Sequence, residues 1–443
     1  MLMTRLEPRR ATGLLPPLYC TGDEPTDLSL TATSIERPRV MMYSHDGIGL
    51  GHMRRNANIA SRFVESVQDA SVLMVGSAPT GLFFPVPPGV DSLKLPSIIK
   101  VGTNQWEPRS LRVESSELRN LRAHLIRSVA ERFEPHLFIA DHLPAGVWGE
   151  LLPTLRMFRR RSNPPRVILG LRDILDSPDV VREAWSREGI YDLIGAYYDC
   201  VLIYGSRAVY DSAERYQLTF PGRLHYCGYV CADLPRLGRE QVRAALDVKA
   251  RQLVLVTAGG GSDAYPMMDA CTRALRTLEE GSDVEAFLVT GPLMSAGFRD
   301  RLKDLARGYP MRVLDTVVDS PILMNAADLV IAMGGYNTVI EALRLGKKIL
   351  VIPREGPSAE QRTRAALLAE MGLIRALELH DAATLKLAGM IREELDDRSA
   401  AAPAALHLDG ARTVVTHMKN ELATWRAANA RPGRAGPMRR AVG

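Results

Sequence analysis

Cysteine is scarce in this chain. Its five residues, Cys20, Cys200, Cys227, Cys231 and Cys271, are too scattered for a disulfide framework, and an odd number leaves one unpaired in any scheme. Cys227 and Cys231 have no second Cys/His pair beside them, which argues against a structural zinc site; no metal is expected. No run of about 18 apolar residues is long enough to span a bilayer. Glu7, Arg9 and Arg10 stand where an export signal would need its apolar stretch, so a reducing cytoplasm is the expected compartment. A strong charge of one sign is also missing, with 56 Lys+Arg against 51 Asp+Glu. Much of the +5 excess sits in the last stretch, where Arg431, Arg434, Arg439 and Arg440 have no acid beside them. The body is therefore almost neutral, which argues against a nucleic-acid partner.

With 443 residues, 46% hydrophobic and 24% charged, the composition is that of an ordinary globular protein with room for two or three domains. Residues 1–37 mix Pro, Thr, Ser and acid without period and read as a disordered extension. Short apolar runs then alternate with helical spacing. Strands are expected at Val40–Tyr43, Val72–Val75, Leu137–Ala140, Val167–Leu171 and Val201–Tyr204, and helices at Arg54–Val67, Glu114–Phe133 and Ala145–Phe158. After an irregular stretch at 227–250 the alternation restarts over 251–409, with strands at Leu253–Thr257, Ala286–Thr290, Met311–Leu314, Leu329–Ala332 and Ile349–Ile352. A helix at 410–428 and a basic tail at 429–443 close the chain. The fold class this implies is α/β, with two doubly wound Rossmann-like domains, 38–226 and 251–409, facing each other across a cleft.

Three strand ends carry the candidate chemistry. The first runs through Ser44-His45-Asp46-Gly47-Ile48-Gly49-Leu50-Gly51-His52 into a helix. Its glycines allow close backbone approach, and the helix N-terminus behind them favours negative groups. As a dinucleotide fingerprint it fails, because His52 occupies the third glycine position. The second is Thr257-Ala258-Gly259-Gly260-Gly261-Ser262, a turn whose backbone, with Ser262, can cradle phosphate oxygens. The third runs from Asp328 through Gly334-Gly335-Tyr336-Asn337-Thr338 to Glu341, a buried strand ending in Gly-Gly at a helix N-terminus. A diphosphate suits the free N–H groups there, and Glu341, one turn on, can accept two ribose hydroxyls. Thr338 and Glu341 also fit a capping box that needs no ligand. Glu360 and Gln361, at the next loop–helix junction, are suited to sugar hydroxyls.

Together these motifs resemble the GT-B glycosyltransferases of the family-28 type, the group that includes the lipid II-forming N-acetylglucosaminyltransferase. The similarity is strongest over 328–373. Within that family the chain looks like bacterial predicted glycosyltransferases bearing His45-Asp46-Gly47-x-Gly49-Leu50-Gly51-His52-x-Arg54-Arg55 and Leu169-Gly170-Leu171-Arg172-Asp173-Ile174-Leu175-Asp176. The resemblance implies a nucleotide-diphosphate sugar as donor partner, UDP by default, with GDP or dTDP open. It places Gly334–Asn337 on the diphosphate, Glu341 on the ribose and Glu360-Gln361 on the sugar. It sets Gly49-Leu50-Gly51-His52 toward the anomeric carbon and gives the acceptor to the first domain.

The chemistry follows from the residues themselves. Displacing a nucleoside diphosphate needs a stabilised leaving group and, for most hydroxyls, a general base on the opposite side, which inverts the anomeric centre. His52 is the leading base, with Asp46 and Asp141 as substitutes. His142, Arg172, Asp173 and Trp106 are acceptor-site candidates. No D-x-D sequence marks a metal-dependent donor site, no cofactor is called for, and a small-molecule acceptor is expected. A sugar-nucleotide epimerase or hydrolase on the same scaffold, or a non-catalytic sugar-nucleotide binder, are the alternatives.

Overall fold

The computed structural model describes residues 37–45, 51–78, 86–102, 105–278, 283–317, 320–356, 358–397 and 406–429. The expected extension and basic tail lie almost wholly outside these, as does Asp46. The first sheet is built from β1 (Arg39–Tyr43), β2 (Ser71–Gly76), β3 (Val90–Lys94), β6 (Leu137–Asp141), β7 (Arg166–Arg172), β8 (Cys200–Tyr204) and β9 (Arg223–Tyr226). Between its third and fourth members lies a separate antiparallel hairpin, β4 (Ile98–Gly102) and β5 (Gln105–Pro108). The strand order is β3-β2-β1-β6-β7-β8-β9, parallel throughout. β6 and β8 are buried along their whole length, as helices on both faces require, and this is why they read as unbroken apolar runs.

The second sheet repeats the plan. β10 (Gln252–Thr257), β11 (Val284–Val289), β12 (Met311–Leu314), β13 (Leu329–Ala332), β14 (Lys348–Val351) and β15 (Arg375–Ala376) lie in the order β12-β11-β10-β13-β14-β15. In each sheet the order reverses once, between β1 and β6 and between β10 and β13. Such reversals open a crevice at the carboxyl ends of the strands. Tyr43 lies opposite Ala140, and Thr257 opposite Ala332, so the loops after β1, β6, β10 and β13 emerge at those crevices.

The structure departs from the sequence expectations where punctuation is local. The helix expected over Ala145–Phe158 is broken: a single tight turn at Val147–Gly149 precedes a helix at Leu152–Arg159. Gly146, Trp148 and Gly149 all have positive φ, and Pro153 starts the helix. The segment expected to be irregular, 227–250, contains a helix at Arg239–Ala245 whose Arg239 and Arg243 pair with Asp328. β3, β9 and β15 are edge strands, the first two of mixed exposure and the last exposed at both residues, which hides any apolar signal.

The C-terminal helix, Gly410–Asn429, packs back on the first domain. Glu421 sits between Arg166 at 2.9 Å and Arg223 at 2.7 Å, and the Trp425 indole N–H donates to the Pro164 carbonyl at 3.0 Å. Among the described residues no helix is long and apolar enough to cross a membrane.

One buried network fixes the floor of the first domain. Arg122 Nε and Nη2 donate to the two oxygens of Glu150 at 2.6 and 2.7 Å, and Tyr43 Oη donates to Glu150 Oε1 at 2.5 Å. Arg122 Nη1 also donates to the Pro96 carbonyl at 2.6 Å. Both charged side chains are fully buried. The trio ties the long helix Ser115–Phe133 to β1 and to the strained segment after β6.

Candidate functional site

The helix Gly51–Ser66 starts at the carboxyl end of β1, and the helix Tyr336–Arg344 at the carboxyl end of β13. Their N-termini face each other: Asn337 Nδ2 donates to the Gly51 carbonyl at 3.0 Å. Two helix ends of positive partial charge therefore converge on one cleft. The cleft wall includes Arg54, Arg55, Arg172 and Arg354, against Asp263, Glu341 and Glu360. An anionic ligand is favoured by both sources of charge.

The donor-side residues named from sequence come together here. Gly51, Gly260, Gly261, Ser262, Gly335, Tyr336, Asn337, Thr338, Glu341, Glu360 and Gln361 all line the cleft, while Gly334 lies just behind it. Gly334 has φ +85°, and a side chain there would press on Val351 and the Gln361 carbonyl. At Gly261, φ +86°, an added Cβ would fall 1.9 Å from the Thr290 carbonyl, so only glycine lets this turn lie flat on the neighbouring strand end. The capping-box reading of Thr338 and Glu341 is not what forms. The helix begins two residues earlier with Gly335 as N-cap, leaving Thr338 inside the first turn. Glu341 is 3% exposed, and its Oε1 lies 3.3 Å from Arg54 Nε of the first domain.

On the opposite wall, His52 sits in the first turn of its helix with Nδ1 2.8 Å from Asp141 Oδ2. Arg55, one turn further on, donates from Nη2 to both Asp141 oxygens at 2.8 and 2.9 Å, and the same nitrogen lies 2.8 Å from His52 Nδ1. Asp141 is fully buried and does not line the cleft. Its carboxylate is committed to Arg55 and His52, so it orients the imidazole and is too enclosed to meet a substrate itself. The tautomer with Nδ1–H donated to Asp141 puts the lone pair on Nε2, and the one in which Nδ1 accepts from Arg55 puts the proton there. Burial, together with the nearby Arg172 and Arg55 charges, holds the His52 pKa well below the usual histidine value, which keeps the ring neutral and its lone pair free at neutral pH.

The acceptor candidates separate. Arg172 lines the cleft. His142 lies behind His52, the ring centroids 5.0 Å apart, and stacks on His45 at 5.4 Å; Trp106 meets His45 edge-on at 5.5 Å. His142 adopts φ +73°, uncommon for a residue with a side chain. Asp173 is buried away from the cleft, ion-paired with Arg364 of the second domain at 2.7 Å. Sequence reading quoted Arg54 and Arg55 in a motif without giving either a role, and it missed Arg364 and the pairing of Arg54 with Glu341. The signals were there: His52 and Arg55 are three apart on one helix, as are Glu360 and Arg364 at four, which puts each pair on one face.

Burial comes first among the forces that hold the pKa values of His45, His52 and His142 well below normal. The unfolded chain binds these protons near pH 6.5 and the folded chain does not. Stability is therefore full above that value, and as pH falls through 6.5 it drops by up to about 1.4 kcal/mol per pH unit for each ring, until the folded values are reached. Thermal unfolding followed from pH 8 to pH 5 should show a plateau and then a steep decline below about 6.5. A flat midpoint down to pH 5 would contradict the buried neutral cluster.

The fold defines a class: two Rossmann-like domains with the cleft between their carboxyl ends are the GT-B architecture. Residues 253–418 match the glycosyltransferase family 28 C-terminal domain, so the likeness covers the second domain and the helix that follows it. One relative is the UDP-N-acetylglucosamine–N-acetylmuramyl-(pentapeptide) pyrophosphoryl-undecaprenol N-acetylglucosamine transferase of Sorangium cellulosum. It is 31% identical over 170 residues, covering 38% of this chain and 41% of the relative. The chain thus spans less than half the length of that relative. Among solved structures, MurG of Acinetobacter baumannii superposes with TM-score 0.51 at 15% identity, over 88% of this chain and 99% of that one. A putative UDP-N-acetylglucosamine 2-epimerase from Listeria monocytogenes superposes with TM-score 0.56 at 15% identity, over 90% and 98%. These two likenesses speak to the fold alone.

Proposed function

We propose that this protein moves a sugar from a nucleotide-diphosphate sugar, UDP by default, onto an acceptor hydroxyl held by the first domain. Residues 38–226 serve as the acceptor domain and 251–409 as the donor domain. The observation that carries the reading is the opposition of a neutral, Asp141-oriented His52 to the Gly335–Glu341 helix end across one cleft.

In this mechanism the backbone N–H groups at Gly335–Thr338 and the flat Gly259–Ser262 turn take the diphosphate, with Arg354 of the cleft wall adding charge as it leaves. No metal is needed for that step. Glu341 accepts the ribose hydroxyls, and Glu360 and Gln361 meet the sugar. His52 Nε2 removes the acceptor proton while the acceptor oxygen attacks the anomeric carbon opposite the leaving diphosphate. The C–O bond to the acceptor forms as the bond to the diphosphate breaks, inverting the centre, and Asp141 stabilises the imidazolium that results.

The donor half is tested by calorimetric titration of UDP, GDP and dTDP into the wild type and a Glu341→Ala variant. One nucleotide should bind the wild type, and the variant should bind it about 10-fold more weakly, the loss of hydrogen bonds to a charged group. Equal affinity in the two proteins would remove Glu341 from the ribose site. Nucleoside diphosphate release at full rate without any acceptor would instead favour the epimerase or hydrolase alternative.

A small-molecule acceptor is one reading of the first domain, and one surface favours a lipid-linked acceptor as the second. Val101 on β4, Leu111 and Val113 in the segment before the Ser115–Phe133 helix, and Leu121 in that helix are all 41–50% exposed. Together they offer an apolar face for an amphiphilic chain. Transfer to a polyprenyl-linked but not to a water-soluble acceptor would select it.

A further inference from the structure

The end of β7 reaches across to the second domain. Three charged residues of Leu169–Asp176 each grip the start of the helix Glu360–Glu370. Arg172 Nη1 donates to Glu360 Oε1 at 2.8 Å. Asp173 accepts from Arg364 Nη2 at 2.7 Å and from its Nε at 3.3 Å. Asp176 Oδ1 accepts the backbone N–H of Ala359, the residue before the helix, at 2.9 Å. Arg364 in turn donates to Glu360 Oε1 at 3.0 Å and to the Gly334 carbonyl at 3.1 Å. The chain of contacts thus runs from a strand of the first domain to the carboxylate assigned to the donor sugar, and on to the glycine behind the diphosphate site.

The arrangement is asymmetric in a way that matters. Both guanidinium groups donate to the same oxygen of Glu360, Oε1, which leaves Oε2 to a ligand hydroxyl. Glu360, Arg364 and Asp173 are buried, at 6%, 2% and 1% exposed. Buried charges hold their places only while every partner is present, so the clasp fixes the orientation of Glu360 as well as its charge. Burial alone would raise the Glu360 pKa, yet Arg172 and Arg364 bring it below normal, keeping the carboxylate ionised. By contrast, Gly259–Ser262 and Gly335–Thr338 belong to the second domain and offer backbone groups, which none of these side chains touches.

We propose that Arg172 is a positioning residue through which the first domain orients Glu360 in the sugar subsite, whereas the backbone cradle of the diphosphate belongs to the second domain. Asp173 supports this by anchoring Arg364. The inference rests on the nucleotide-sugar reading above. It turns Arg172 and Asp173 from acceptor contacts into supports of donor-sugar recognition.

The test compares bare nucleotide with sugar conjugate in the full-length protein. UDP, GDP and dTDP, and the glucose and N-acetylglucosamine conjugates of UDP with the glucose conjugates of the other two, are titrated calorimetrically into wild type, Arg172→Gln and Arg172→Lys. Arg172 is partly exposed, so its loss leaves no large buried void. The expected result is that Arg172→Gln weakens the bound conjugate about 10-fold, the effect of losing a hydrogen bond between charged groups, and leaves its bare nucleotide within about twofold. Arg172→Lys, which can still place one charge near Glu360, should recover part of the loss. Equal weakening of nucleotide and conjugate would overturn the proposal by placing Arg172 on the diphosphate. No change in either would overturn it as well. A wild type that binds none of these ligands would remove the nucleotide-sugar reading itself, and the inference with it.

Discussion

Replacing His52 with alanine should lower turnover by about 10²–10⁴-fold, the usual contribution of a positioned general base, while nucleotide-sugar affinity stays close to wild type. The separation follows from where His52 sits. Its ring stands on the first-domain wall, against Asp141 and Arg55, and the groups assigned to the donor stand on the other. Asp141 and Arg55 remain paired with each other when the imidazole is gone, so the variant should fold. Single-turnover rates with saturating donor would measure the chemical step, and calorimetry the binding. Normal turnover would take the base role from His52. A parallel loss of binding would place the ring on the donor.

A second large effect is expected far from the chemistry. Arg122→Met should destabilise the protein by about 3–5 kcal/mol, because it leaves Glu150 charged, fully buried and without its bidentate partner. Tyr43 would remain on Glu150 Oε1, but one hydroxyl does not balance a buried carboxylate. Tyr43 already shows the strength of this environment: burial first, and the Glu150 charge next, push its phenol pKa well above normal. Urea unfolding would read the loss directly. Replacing both partners with apolar residues should recover much of it, since two buried charges have been removed together. A single variant as stable as wild type would mean that the network is dispensable to the fold.

The architecture was legible because its signals are local. Unbroken apolar runs such as Leu137–Ala140 and Val201–Tyr204 are what strands buried on both faces require, and glycine clusters after β10 and β13 mark their turns. Edge strands β3, β9 and β15 were missed since few of their residues are fully buried, and the Ala145–Phe158 helix was overextended because periodicity does not register positive φ at Gly146 and Trp148. The same limit applies to the site. Backbone cradles follow from one stretch of chain, so Gly335–Thr338 could be read directly. Arg172 on Glu360 joins residues 188 apart, and Arg364 on Asp173 residues 191 apart, pairings that no single segment encodes. Reading Arg172 and Asp173 as acceptor ligands was reasonable from their place at a strand end. Only the apposed domains show that both reach the Glu360 helix.

The central claim is that one cleft holds a nucleotide-sugar donor on the Tyr336 helix and faces its anomeric carbon with His52. The most direct measurement is a crystal structure of the protein with the nucleotide sugar that binds most tightly in calorimetry. The account predicts diphosphate oxygens within hydrogen-bond reach of the backbone N–H groups at Gly335–Thr338, ribose hydroxyls on Glu341, and the anomeric carbon turned toward the His52 side of the cleft. A nucleotide seated elsewhere, or one whose sugar points away from His52, would contradict it.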